Sequence, residues 1–460
     1  RFQPDAPLVA FDDAAADGKT DAGALLVAAV QALEDAEDAF EIPLFDAFAV
    51  VGHRNADHSV GLQLGRNADF RLAAGVAVMT LGLAHMAWWM AEMAEVYALS
   101  LAFCMAELYA LARASEKRET RWVALLFLLN GLHTSVHNFA FLELPVFVAF
   151  LPGRGAVKRT ALCAAAWMAG AAALEWLFVE ELVRSGSLAE TVKSLLFGLE
   201  FEKPVLGTGG FRLKLAIANY ALAAVSFVSP CWLFIFKGFR AWRKEGMTGF
   251  FKRCLLALTL IHIIFWVRYF VGDQSTFILP TLGMLAVWVG FGTAALETEG
   301  RRRLVLMGLA FGILFACAVP SVLSSALRVH DFGVRRVREL PGRSEFAYWL
   351  LPWKAHEDSA ARFVRQEEKI LQPGDILLAD NTAAAPLLAA RAAGAMSKEW
   401  RLVTYVTKEK SAEVKALLDT KPRVFIVSPV REYEVSPVVL DGNYRFEKAG
   451  ILYRIMRKAK

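Results

Sequence analysis

The sequence predicts an α-helical multi-pass membrane protein that ends in a small α/β domain, and three observations predict it. Hydrophobic residues make up 56% of the chain and mean hydropathy is +0.39, which is too apolar for an ordinary soluble protein of this size, so lipid must be its main solvent. Eight long apolar runs recur between residues 72 and 325, and most approach the ~20 residues a helix needs to cross the hydrocarbon core. Beyond them, strand-like and helix-like segments alternate, as in a layered α/β structure.

Charge and cysteine usage narrow the class. The net charge of +5 comes from basic residues grouped in short clusters between apolar runs, the pattern of cytoplasmic membrane loops and not of a nucleic-acid-binding surface. Cys104, Cys163, Cys231, Cys254 and Cys317 all lie in apolar stretches without Cys-x-x-Cys or Cys/His metal spacing, so neither disulfides nor zinc are expected. The acidic, Ala-rich stretch after Arg1 is the opposite of a basic n-region, and no signal peptide is expected.

In chain order the runs lie near 72–90, 95–112, 122–151, 160–183, 213–236, 254–271, 277–296 and 303–325. Their basic flanks are Arg113 with Lys117, Arg118 and Arg121, Arg154 with Lys158 and Arg159, Lys237 through Arg253, and Arg301 to Arg303, all placed in the cytoplasm. The run 122–151 begins and ends at such flanks yet is too short for two crossings, so it reads as a re-entrant pair of helices, Trp122–Leu132 and Phe139–Phe150. The bend is expected at the polar stretch His133, Thr134, Ser135, His137, Asn138, shielded by protein or lining a cavity. Trp88 and Trp89 mark an outer interface. The same parity puts the loop 184–211, the turn 272–275 and residues 326–460 on the outer side.

The C-terminal domain reads as strand 375–379, helix 383–393, strand 401–406, helix 411–418, strand 423–427 and strand 451–455. No glycine fingerprint follows its first strand, so nucleotide binding is unsupported there. Residues 1–70 are rich in Asp and Ala and hold no credible span.

Several ionisable residues collect at outer helix ends: Glu92, Glu95, Glu175, Glu180, Glu181, and Arg268 with Asp273. Charges there either face a wet cavity or are solvated at headgroup level. His133 and His137 have the spacing of a metal or phosphate pair on a helical face, or they satisfy a helix break. Arg268 suits a lipid phosphate and Asp273 a hydroxyl, and a local salt bridge between them is the alternative. Gly207-Thr208-Gly209-Gly210 reads as a flexible loop, since no strand leads into it.

Five separated segments stand out: HMAWWMAEMAEVYAL (85–99), LNGLHTSVHN (129–138), GDQSTFILPTLGMLAVWVGFG (272–292), ELPGRSEFAYWLLPWK (339–354) and PGDILLADNT (373–382). Together, in this order and spacing, they resemble a GT-C type family of membrane glycosyltransferases related to transmembrane protein O-mannosyltransferases. The family's acidic N-terminal element is matched at Lys19 to Leu26 with Asp21 kept and Ala24 in place of Glu, its His-Pro-Pro-Gly turn is lost at 35–40, and Ile42-Pro43-Leu44-Phe45 remains. Residues 1–70 thus read as an altered or truncated N-terminal region carrying the remnant of a catalytic loop.

The resemblance implies an enzyme of a bacterial plasma (inner) membrane that takes a mannose-like sugar from a polyprenyl-phosphate carrier. It passes the sugar, with inversion, to a hydroxyl of a protein or glycan outside the cytoplasm. By position it makes Asp21 the base, with Glu95 and Asp273 beside it to position acceptor or a divalent cation such as Mg2+ or Mn2+; no other cofactor is expected. Arg268 is the candidate for the lipid phosphate, and His133, His137 and Gln274 for substrate contacts. Two other readings stay open: a catalytically inactive member that binds lipid-linked sugar, and a lipid or solute transporter built on Glu175 and the His133 bend.

Overall fold

The structure is a computed structural model, and it describes residues 70–92, 96–117, 119–153, 155–196, 213–244, 249–269, 274–329, 340–354, 357–396, 399–404, 411–429, 439 and 442–458. The chain divides into two compact units, one ending at Leu323 and one running from Ser324 to the C-terminus.

The first unit is helical. It opens with α1 (Phe70–Gly82), α2 (His85–Ala91), α3 (Val96–Lys117), α4 (Thr120–Val136) and α5 (Phe139–Val148), followed by α6 (Ala156–Gly170), α7 (Ala172–Ser185) and α8 over 188–196. Then come α9 (Leu213–Ala224), α10 (Phe234–Lys244), α11 (Phe250–Arg268), α12 (Leu279–Thr298) and α13 (Arg302–Val329), whose last residues, from Ser324, fall in the second unit. Among the described residues, four helices are long and apolar enough to cross a membrane, and three bent pairs raise the number to seven if each is one span. Each of the eight apolar runs is helical over most of its described residues, and the protein is an integral membrane protein on this evidence.

Three runs that read as unbroken are bent. The first turns by 71° between α1 and α2, the fourth by 72° at Ala171 between α6 and α7, and the fifth by 91° between residues 216–227 and 230–242. At the last bend Pro230 lacks an amide hydrogen, and the Ser229 hydroxyl accepts from the Cys231 amide at 3.3 Å in its place. The loop expected over 184–211 carries helix α8 in its described part. In the 122–151 run the break is narrower than expected: His133, Thr134 and Ser135 continue α4, and the chain leaves the helix only at His137 and Asn138. Thr134 bonds back to the Gly131 carbonyl at 2.6 Å, so its hydroxyl is satisfied within the helix and no bend is needed there.

Burial separates two roles among the long helices. The window over Gln274–Thr298 is 94% buried, which makes α12 the centre of the bundle, whereas α13 exposes Leu304, Met307, Phe311, Leu314 and Val322 and suits a lipid-facing position. Association of helices in lipid rests on close approach of small residues. Gly131 of α4 faces the Trp167 carbonyl and Ala171 amide, and Gly170 of α6 faces the Leu128 carbonyl and Leu132 amide, so each glycine leaves room only for the other's backbone.

The second unit holds a five-stranded sheet in the order β2-β1-β3-β5-β4, with β1 (Ile376–Leu378), β2 (Arg401–Val403) and β3 (Val424–Ile426) parallel. β4 (Tyr444–Ala449) and β5 (Leu452–Arg457) form an antiparallel hairpin that joins β3 through β5. Helices α14 (Glu345–Leu350), α15 (Ser359–Ile370), α16 (Asn381–Ala392) and α17 (Ser411–Thr420) complete it. Alternation along the strands builds two cores. Leu377 and Phe425 pack with Phe363 of α15 and Leu387 of α16 on one side, while Ile376, Leu378, Val424 and Ile426 pack with Val414 and Leu417 of α17 on the other. The strand-helix alternation expected over 375–427 is present; α14, α15 and β4 are additions to it. Asp375, before β1, accepts from Arg423 Nε at 2.7 Å, Arg423 Nη2 at 2.9 Å and the Gln372 amide at 2.8 Å, tying β1 to β3.

Candidate functional site

Polar groups inside the bundle converge where α3, α4, α5 and α11 meet. A lone carboxylate in a membrane helix is costly unless another helix supplies its partner. Glu107 of α3 and Glu143 of α5 are both buried, as are His133 of α4 and His262 of α11. His133 Nδ1 lies 3.2 Å from Glu107 Oε1 and 4.0 Å from Glu143 Oε2, and its Nε2 lies 2.7 Å from Ser100 Oγ. His262 Nε2 holds Glu143 Oε1 at 3.0 Å. Asn130, one turn before His133, donates to Glu107 Oε1 at 3.2 Å and to the Ala140 carbonyl at 3.0 Å. Its own Oδ1 accepts from Trp167 Nε1 of α6 at 3.0 Å. Among the described residues, Glu107, His133 and Glu143 are the group whose ligand atoms stand close enough to hold one metal ion.

A second constellation gathers aromatic rings at the end of the bundle where α4 breaks. His137 does not share His133's surroundings: its ring meets Phe139 at 3.9 Å, Tyr97 at 5.3 Å and Phe277 at 6.2 Å, and its Nδ1 accepts from the Phe139 amide at 3.2 Å. Phe139 and Phe277 are the buried centre of a cluster that Phe265, Trp266 and Tyr269 complete. Gln274 is buried beside it and donates to the Trp266 carbonyl at 2.8 Å and the Tyr220 hydroxyl at 3.4 Å, while Tyr220 donates to the Val267 carbonyl at 2.7 Å. Arg268, the last residue of α11, is exposed next to this cluster in the chain. Such an end presents apolar ring faces with a buried amide beside them and a basic residue adjoining in the chain.

Of the residues singled out in the sequence, His137, Gln274 and Arg268 therefore belong to or adjoin one end of the bundle, and His133 belongs to the buried carboxylate cluster. His133 and His137 differ in their partners: His133 meets the buried carboxylates, whereas His137, which caps α4, meets aromatic rings. Asp21, Glu95 and Asp273 lie outside the described residues. Glu175 is half-buried on α7, and Glu180 is exposed; Glu181 pairs with Arg184 at 2.5 Å in a partly exposed ion pair. Sequence reading missed Glu107, Glu143, His262 and Asn130. The signal for the two carboxylates was present: each stands alone among apolar residues, in AFCMAELYALA (102–112) and AFLELPVFVAF (140–150).

No curated protein matches the chain. Residues 43–159 match the family model described as "Protein O-mannosyl-transferase TMEM260 N-terminal domain"; this stretch runs from Pro43 past α5, holds the carboxylate cluster's α3, α4 and α5, and makes this part of the chain similar to a protein O-mannosyltransferase family, in agreement with the resemblance drawn from the sequence.

Proposed function

We propose that the chain is a GT-C type membrane glycosyltransferase that transfers a mannose-like sugar from a polyprenyl-phosphate carrier to a hydroxyl of a protein or glycan on the extracytoplasmic side. The family match over residues 43–159 is the observation that carries this reading. The aromatic end built by Tyr97, His137, Phe139, Phe265 and Phe277, with Arg268 and Gln274 adjoining, supports it as a place for the carrier's sugar phosphate.

The chemistry needs a base, a cation and exclusion of water. Asp21 takes the proton of the acceptor hydroxyl as its oxygen bonds to the anomeric carbon. The bond from that carbon to the phosphate oxygen breaks with inversion, and the carrier leaves as polyprenyl phosphate, its charge met by Arg268. Glu95 and Asp273 position the acceptor. In this reading residues 326–460 lie outside the cytoplasm and bind the acceptor.

The test is transfer of radiolabelled sugar from polyprenyl-phosphate-mannose by the purified full chain, beside Asp21→Ala and Ala24→Glu. Transfer lost in Asp21→Ala supports the proposal. A silent parent with activity gained in Ala24→Glu identifies a member disabled at its catalytic loop, and silence in all three with folded protein overturns the enzymatic reading.

A further inference from the structure

We propose that Glu107, His133 and Glu143 bind one divalent transition-metal ion inside the helical bundle, as a structural clamp on α3, α4 and α5. The inference stands on geometry and burial and does not depend on the glycosyltransferase reading.

The donor atoms are already near the spacing a metal imposes. Metal-ligand bonds of about 2.1 Å put tetrahedral ligands roughly 3.4 Å apart. His133 Nδ1 stands 3.2 Å from Glu107 Oε1 and 4.0 Å from Glu143 Oε2, which bracket that edge, and one ligand atom of each residue lies within 4.8 Å of the other two. The side chains of His133, Glu107 and Glu143 are no more than 1% exposed.

Glu107 Oε2 supplies a second observation: it is fully buried and receives no N–H donor, and the Glu107 and Glu143 carboxyls meet each other. Two carboxylates in contact in a low-dielectric interior cannot both stay charged without a bridging proton or cation. One dipositive ion within reach of His133 Nδ1 as well meets all three groups at once.

The surrounding contacts orient the three ligand side chains, as outer partners of metal sites do. Ser100 Oγ sits on His133 Nε2, so Nδ1 is the nitrogen turned toward the carboxylates. Asn130 holds Glu107 Oε1, Trp167 holds Asn130, and His262 holds Glu143 Oε1. An imidazole with two carboxylates selects Mn2+, Fe2+, Co2+ or Zn2+ over Mg2+ and Ca2+, which prefer oxygen alone.

The experiment expresses the full chain in medium supplemented with Zn2+, Mn2+ or Co2+, purifies it in detergent, and measures metal per chain. The expected result is about one ion per chain for the parent, carried by one of the three metals. Glu107→Gln and Glu143→Gln, which keep shape and hydrogen bonding, each lose it, and Asn130→Ala weakens retention against a chelator by about tenfold to a hundredfold. X-ray absorption on the loaded parent is expected to show a nitrogen and oxygen shell with imidazole scattering, a readout that needs no variant to fold. A folded parent without metal from any supplemented culture overturns the proposal and makes the cluster a proton-sharing network. A sulfur-containing or imidazole-free shell, or metal retained equally by the folded Glu107→Gln and Glu143→Gln variants, overturns it as well.

Discussion

Gly170→Ala tests the packing on which the buried cluster depends. An added Cβ would stand 2.7 Å from the Leu132 amide nitrogen and closer still to the Leu128 carbonyl oxygen, where ordinary contact begins at 3.4 Å. α6 must therefore move off α4 by at least about 0.7 Å. The hydrogen bond from Trp167 to Asn130, now 3.0 Å, would stretch to about 3.7 Å, past the reach of a hydrogen bond. Overpacking of this kind costs about 1–3 kcal/mol, and the lost buried bond adds about 1 kcal/mol. The unfolding equilibrium should shift roughly thirtyfold to several hundredfold. The assay is thermal unfolding of the full chain in detergent, followed by tryptophan fluorescence. Gly75→Ala is the control, because nothing lies within 4 Å of its added Cβ and α1 should gain up to about 1 kcal/mol from the better helix former. A Gly170→Ala protein that melts as late as Gly75→Ala would refute the close approach of α4 and α6.

Trp167→Phe keeps the ring and removes the donor to Asn130, so it should cost about 1 kcal/mol in the same assay. Combined with Gly170→Ala it should fall short of additivity by about the same amount, since both changes break one bond. In the second unit, Asp375→Asn should speed hydrogen exchange at 376–378 and 424–426 by about tenfold to a hundredfold, because a buried carboxylate that accepts two bonds from Arg423 is lost. The hydrogen-bonded Asp375 carboxylate holds the Arg423 guanidinium above its ordinary range. A raised pKa means that the pair's stabilisation is complete below the ordinary guanidinium range and fades only above it. Protection at those strands, corrected for intrinsic exchange, should therefore stay level on the alkaline side up to roughly pH 10.

The membrane helices were legible because their signal is one-dimensional: a run of apolar residues states its own length, and all eight runs are helical over most of their described residues. Bends were less so. Pro230 announces one, but the turn at Ala171 lies in an apolar, Ala-rich stretch that reads as continuous helix, beside the close contact of Gly170 with α4. In the second unit β1, β2 and β3 were readable from short apolar runs. The edge strand β4, YRFEKA, was not, because charged residues that discourage edge pairing also erase the apolar pattern. For the buried cluster, His133 drew attention as part of a polar bend. Its partners arrive from Glu107 on the preceding helix, Glu143 after the break and His262 more than a hundred residues on. Sequence marks each as an isolated charge or imidazole in an apolar run; only helix packing says which of them meet.

That packing also links the two constellations. From Gly170 the contacts run through Trp167 to Asn130, then Glu107, His133, Glu143 and His262, crossing five helices by side chains that are all at least half-buried. His133 and His137 are one turn apart on the strand of chain that ends α4, and Phe139 begins α5, so whatever fixes His133 also fixes where the break occurs. The break in turn sets the ring contacts of His137 with Tyr97 and Phe277. The α4–α5 break is thus the element that the two constellations share. The buried carboxylates are therefore placed to hold the aromatic end in register. A loss of ring packing at His137 should accompany any change that frees Glu107 or Glu143, even though neither carboxylate is part of that ring cluster.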